Sequence, residues 1–271
     1  MGEAMLYYSR QAIMKLDVVL APALLARDRF EGWLFAVIDV LRATSTVVTA
    51  VASGAHAVYP CLTAEEAASE AALCSRDDAL TGGEDMGRHI AGFDLGNSPL
   101  EYLDTPRVGG KSIYFYTTNG SGAIRKAYDA SGRPVVIAAL LNLSAASSAM
   151  LDAASRQRPE GMAVLCSGRY GGLSAEDLLC AGLMVEKCTR GLKASGIEYE
   201  LLDTASVALG FAEANTGRLL QVLSESEHGK FLKSLGFEKD LAFTAQLDLC
   251  SVAPFFDGKR VTLSRDPRAE P

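Results

Sequence analysis

The sequence has no apolar run approaching the roughly 20 residues needed to span a bilayer. Residues 18–25 are too few, and Asp39 and Arg42 interrupt the next apolar stretch. The first 15 residues lack the basic start, apolar middle and small-residue cleavage site of a secretory signal. Residues 1–14 are therefore expected to be an extension ahead of the domain, and the protein to be cytoplasmic. The six cysteines include no C-x-x-C pair, which excludes a disulfide scaffold and leaves most of them as buried small apolar residues. Basic charge is also short: the net charge is -7, with no basic stripe and no interleaved aromatic ladder, so nucleic acid is not the expected partner. An anionic ligand would need a local positive pocket, part of which a cation such as Mg²⁺ could supply. The three histidines have no metal-ligand spacing, and neither a G-x-x-x-x-G-K-[ST] loop nor a G-x-S-x-G elbow occurs.

What is present is enough apolar material for a substantial core: 49% of the 271 residues are hydrophobic and 22% are charged. Apolar strands are predicted over 15–20, 33–41, 58–61, 79–81, 112–117, 135–139 and 162–166. Helices are predicted after a Ser/Thr cap at 44–46 through 52, over 63–74, after the turn at 119–122 through 128, and over 144–156 and 173–195. This alternation implies an α/β fold with a mostly parallel or mixed sheet and helices on both faces. The C-terminal third reads as helices over 204–214, 216–225 and 227–235, then a strand over 241–248 and a terminal hairpin or strand over 255–263. We expect a single domain over 15–263, with the portion from about 203 as a helical lobe or sub-domain, and a disordered tail over 264–271. The composition also permits a homodimer.

Three segments share one design, in which an apolar strand ends in a polar or Gly-rich turn and a helix follows. They are Asp39-Val40-Leu41-Arg42-Ala43-Thr44-Ser45-Thr46, Thr117-Thr118-Asn119-Gly120-Ser121-Gly122, and Cys166-Ser167-Gly168-Arg169 running on to Asp177. Ligands of open α/β sheets bind beyond the carboxyl ends of strands, where helix N-termini offer free N–H groups to phosphate. Asp39 stands out because an ionised group in an apolar strand must be paired or metal-bound. Glu84 follows Gly82-Gly83, and Asp177 falls in the first turn of a long helix. These three carboxylates could hold Mg²⁺, directly or through water, although Asp177 also suits a helix N-terminus for electrostatic reasons alone. Arg42 and Arg169 offer fork-shaped donors for phosphate, carboxylate or sulfonate, and Arg42 could equally neutralise Asp39. His228 could line such a site or lie on the surface.

These blocks resemble the 2-phosphosulfolactate phosphatase (ComB) family. So do Gly82-Gly83-Glu84, Gly92-Phe93-Asp94-Leu95-Gly96-Asn97-Ser98-Pro99, Ala175-Glu176-Asp177, Ser226-Glu227-His228-Gly229 and Asp240, all in family order. The resemblance implies Mg²⁺-dependent hydrolysis of (R)-2-phospho-3-sulfolactate to 3-sulfolactate and phosphate, a step towards coenzyme M. It also implies an α/β fold distinct from the better-known phosphatases. On this reading Asp39, Glu84 and Asp177 hold the metal, and Arg42 neutralises charge on the phosphoryl group. Thr44, Ser45, Thr118, Asn119, Gly120, Ser121, Gly122 and Ser167 surround the substrate, and Arg169 faces its second anion. Direct attack by water and an aspartyl-phosphate at Asp39 both stay open, as do a related phosphorylated hydroxy acid as substrate and a non-catalytic small-anion binder.

Overall fold

The structure, a computed structural model, describes residues 13–263. The tail expected over 264–271, and the expected N-terminal extension up to residue 12, lie outside the described residues. Among the described residues, ten strands form one sheet: β1 (Met14–Val19), β2 (Leu34–Ile38), β3 (Ala57–Cys61), β4 (Ala79–Gly83), β5 (Ser112–Tyr116), β6 (Val135–Ala138), β7 (Gly161–Cys166), β8 (Tyr199–Leu201), β9 (Phe255–Phe256) and β10 (Val261–Thr262). Their order is β4-β5-β3-β10-β9-β6-β2-β7-β1-β8. All pairings within β4-β5-β3 and within β6-β2-β7-β1-β8 are parallel. The β9–β10 hairpin lies between these two blocks, antiparallel to β6 on one side and to β3 on the other.

Among the described residues, eleven α-helices accompany the strands: α1 (Arg27–Phe30), α2 (Ala43–Ala52), α3 (Ala64–Ala72), α4 (Thr105–Val108), α5 (Gly120–Ser131), α6 (Leu143–Gln157), α7 (Ala175–Ala194), α8 (Asp203–Asn215), α9 (Leu219–Glu225), α10 (Glu227–Ser234) and α11 (Glu238–Thr244). None in the described residues is long and apolar enough to cross a membrane. The continuous apolar run of β2 is explained by burial on both faces. Leu34, Ala36 and Ile38 point into a core shared with α6 to α11, whereas Phe35 and Val37 enter a second core with α2 and α5. Ala205, Leu223, Leu232 and Leu241 belong to the first of these cores, so α8 to α11 pack onto the sheet rather than around a core of their own. Four of the six cysteines are buried, Cys74 is exposed and Cys250 is half-buried.

One predicted element is wrong in type. The strand expected over 241–248 is instead α11 and the turn after it. Its Leu241 and Thr244 are buried three residues apart with Asp240 beside them, a helical spacing that a short apolar run does not reveal.

Candidate active site

The carboxyl ends of β2, β4, β5 and β7 frame one cleft. It is lined by Asp39, Leu41, Arg42, Glu84, Met86, Gly87, Asn97, Thr118, Asn119, Arg169 and Tyr170, and α10 adds His228 and Phe231. Asp39 follows the last residue of β2 and is buried. Its Oδ1 accepts the amide of Ala43, the first residue of α2, at 3.2 Å. The Thr44 hydroxyl bridges the amide and carbonyl of Asp39 at 2.9 and 3.0 Å, and the Ser45 hydroxyl donates to the Val40 carbonyl at 2.9 Å. Thr44 and Ser45, expected on the substrate, therefore fasten the β2–α2 turn and do not line the cleft.

The β5–α5 turn packs directly on Asp39. A Cβ on Gly120 would lie 2.7 Å from Asp39 Oδ2 and 2.3 Å from the Ala43 Cβ, so only glycine permits this approach. Ser121 is buried, accepting the Thr117 amide and donating to the Phe115 carbonyl, each at 3.1 Å. Of this turn, Thr118 and Asn119 face the cleft, at the N-terminus of α5; Gly120, Ser121 and Gly122 do not line it. Glu84 fastens the neighbouring loops. Its Oε1 accepts the Thr118 amide at 2.8 Å, and its Oε2 accepts the Gly87 amide and the Thr118 hydroxyl.

Asp177 is buried in the first turn of α7, and its two oxygens accept the Val40 amide at 2.8 Å and the Gly168 amide at 3.1 Å. It ties the β2 and β7 loops together behind the cleft, which it does not line. Among the described residues, no three His, Cys, Asp or Glu side chains form a preformed metal cluster. Of Asp39, Glu84 and Asp177, expected to hold Mg²⁺ directly or through water, the first two line the cleft and Asp177 lies behind it. Ser167 is buried beside Ile38, whose carbonyl accepts its amide at 2.8 Å, and does not line the cleft either.

The two arginines differ sharply. Arg42 is buried and pairs with Asp240 rather than Asp39, Nη1 to Oδ2 at 2.7 Å, while its guanidinium lies 4.0 Å over the Phe237 ring. Asp240 also accepts the Ser98 hydroxyl at 2.7 Å. Arg169 makes no ion pair among the described residues and lies between two aromatic faces, 4.8 Å from Tyr170 and 4.7 Å from Phe231. Such stacking holds a guanidinium flat without neutralising it.

Three further polar groups escaped sequence reasoning or were left undecided by it. Asn97 is buried in the cleft wall, and its Oδ1 has no partner among the described residues; its sequence signal was its place in the 92–99 block. Glu176 is buried next to Asp177, with Oε1 3.4 Å from His228 Nδ1 and Oε2 unpartnered. His228 faces the cleft rather than bulk solvent. Burial pushes the Asp39 pKa up to about 6, against a lowering influence from His228 and the Ala43 amide. Burial, then the charges of Asp39 and Glu176, push Asp177 well above the usual carboxylate range. Burial alone would raise Glu176, but His228, together with the Ser174 hydroxyl and the Glu176 backbone amide, outweighs it and holds Glu176 below its ordinary value.

Residues 19–259 match the model of the family described as 2-phosphosulpholactate phosphatase. The chain is 38% identical to a probable 2-phosphosulfolactate phosphatase of Symbiobacterium thermophilum over 87% of its own length and 96% of the relative's. It is 36% identical to one from Thermotoga petrophila, over 88% and 94%, and 30% identical to one from Clostridium botulinum, over 92% and 99%. A buried acidic strand end, a helix N-terminus and an unpaired arginine meeting in one cleft agree with that match, and the chain belongs to the 2-phosphosulfolactate phosphatase family, hydrolases of phosphate monoesters.

Proposed function

We propose that the cleft hydrolyses (R)-2-phospho-3-sulfolactate to 3-sulfolactate and phosphate with Mg²⁺ bound. The observation that carries this reading is Arg169, a cation held between two aromatic rings with no carboxylate partner, in the same cleft as the N-terminus of a twelve-residue helix. A substrate with one phosphate and a second strong anion satisfies both. The donor set suits Mg²⁺, which prefers a few hard oxygens and retained waters: Asp39 is buried and, among the described residues, makes no ion pair with Arg or Lys, and Asn97 Oδ1 has no hydrogen-bond partner there. Asp39 and Asn97 would hold the ion, with Glu84 acting through water because its oxygens already accept amides. Bound there, Mg²⁺ supplies charge neutralisation at the phosphoryl oxygens and lowers the pKa of a bound water.

The chain's own groups do the rest. Thr118 and Asn119, at the N-terminus of α5, receive phosphoryl oxygens, favoured by the helix dipole. Asp39 orients the attacking water, which favours direct attack over an aspartyl-phosphate. Arg169 grips the sulfonate, and Arg42, locked by Asp240, keeps the β2–α2 turn in place while adding positive potential.

Phosphate release is to be measured from 2-phosphosulfolactate and 2-phospholactate, each with Mg²⁺ and with EDTA. Release should require Mg²⁺, and kcat/KM should favour the sulfonated ester by about tenfold or more, the value of one charge-assisted bond. R169Q should erase that preference. Equal turnover of the two esters by the unmodified chain would remove sulfolactate as the substrate.

A further inference from the structure

We propose that His228, oriented by Glu176, donates the proton to the departing ester oxygen; this rests on the phosphatase reading above. Of the three histidines, His56 and His89 are exposed, and His228 is the one that lines the cleft. Its Nδ1 faces Glu176 Oε1 at 3.4 Å, which leaves Nε2 for the cleft. A carboxylate in that second position fixes the tautomer and orientation of the ring. Glu176 is almost fully buried, and its second oxygen has no partner among the described residues. Packing does not account for such a group, because a buried carboxylate is costly unless its bonds are made.

The mount is rigid. Ser226 Oγ caps α10 by accepting the Gly229 amide at 2.9 Å and donates to the Leu223 carbonyl at 2.9 Å. A Cβ on Gly229 would lie 1.7 Å from that carbonyl oxygen. The His228 ring rests near Phe231, with centroids 6.4 Å apart. Among the described residues no lysine lines the cleft, Arg42 is committed to Asp240, and an arginine does not give up its proton.

An alkoxide is a poor leaving group and gains from protonation as the bond breaks. The water oxygen bonds to phosphorus, and the P–O(ester) bond breaks with its electron pair going to the ester oxygen. That oxygen takes the proton from His228 Nε2. Phosphate departs as H₂PO₄⁻ and loses a proton to solvent, and His228 takes one back.

The test compares wild type, H228N and E176Q on 2-phosphosulfolactate and on 4-nitrophenyl phosphate, whose phenolate leaves without help. H228N should lower kcat/KM by about 100-fold or more on the alkyl ester and by less than about threefold on the aryl ester. E176Q should show the same selectivity with a smaller loss. Thermal unfolding of both variants, followed alongside, separates a lost proton donor from a lost fold. Equal losses on the two esters in folded variants, or no loss on the alkyl ester, would overturn the assignment. If the wild type hydrolyses neither ester, the phosphatase reading fails and this proton donor fails with it.

Discussion

A carboxylate that ionises near pH 6 in the folded chain but near 3.8 in the unfolded one weakens the fold at neutral pH. Between those values the folded state binds more protons, so stability falls as pH rises through the window and the full penalty is present above it. A shift of that size corresponds to about 3 kcal/mol, as an upper bound. In EDTA, D39N should therefore melt above wild type at pH 7.5, with the gap closing towards pH 4; a gap independent of pH would show that burial of this charge is not the cause. Phosphatase activity of D39N should drop by at least about 100-fold. Gly120→Ala attacks the same residue through space, because the new methyl would lie 2.7 Å from Asp39 Oδ2. It should reduce kcat by about tenfold or more while leaving the far-UV circular dichroism spectrum unchanged. Asp39 was legible in the sequence because a charge ending an apolar strand is a chemical anomaly. The division of labour between Glu176 and Asp177 was not, since neighbouring helical residues point about 100° apart and only the packed helix decides which meets His228 and which the loop amides.

Among elements, α11 shows how far the site depends on residues that carry no local signal. Arg42 is prominent in the sequence, but its partner Asp240 lies 198 positions later, at the start of a segment that reads as a strand. Strand and helix compete in any short apolar run, and the buried ion pair is a tertiary fact with no periodicity to announce it. Removing one partner strands a buried charge, so D240A should destabilise by about 3–5 kcal/mol in urea unfolding. The double variant R42M/D240L should lose less stability than D240A alone, because it leaves no orphan charge. A larger loss in the double variant would mean that the pair itself, rather than its completeness, holds α11 in place.

Across the whole molecule, most of the strand and helix order was readable, although β8 and the short α1 and α4 had no predicted counterpart. Of the two readings of 255–263, the hairpin is the one that forms. Its position was not readable: nothing in the pattern of Phe255 to Thr262 tells that it separates β3 from β6, because strand order lies in long-range pairing. β5 and β2 stand five places apart, roughly 24 Å in a flat sheet at about 4.8 Å per strand. Gly120 nevertheless touches Asp39, so the sheet must curl to bring the two turns together. Phe256, fully buried and edge-on to Tyr128 at 5.6 Å, anchors the hairpin in that curl. F256A should cost about 3–5 kcal/mol and lower activity together with stability, as read from paired melting and turnover curves. The hairpin also imposes an order in time. During synthesis β3 and β6 are both complete long before residues 255–262 exist, and neither has its bridging neighbour in the finished sheet. A nascent chain paused before that point presents two unjoined strand edges, the kind of surface that recruits chaperones or pairs with other chains.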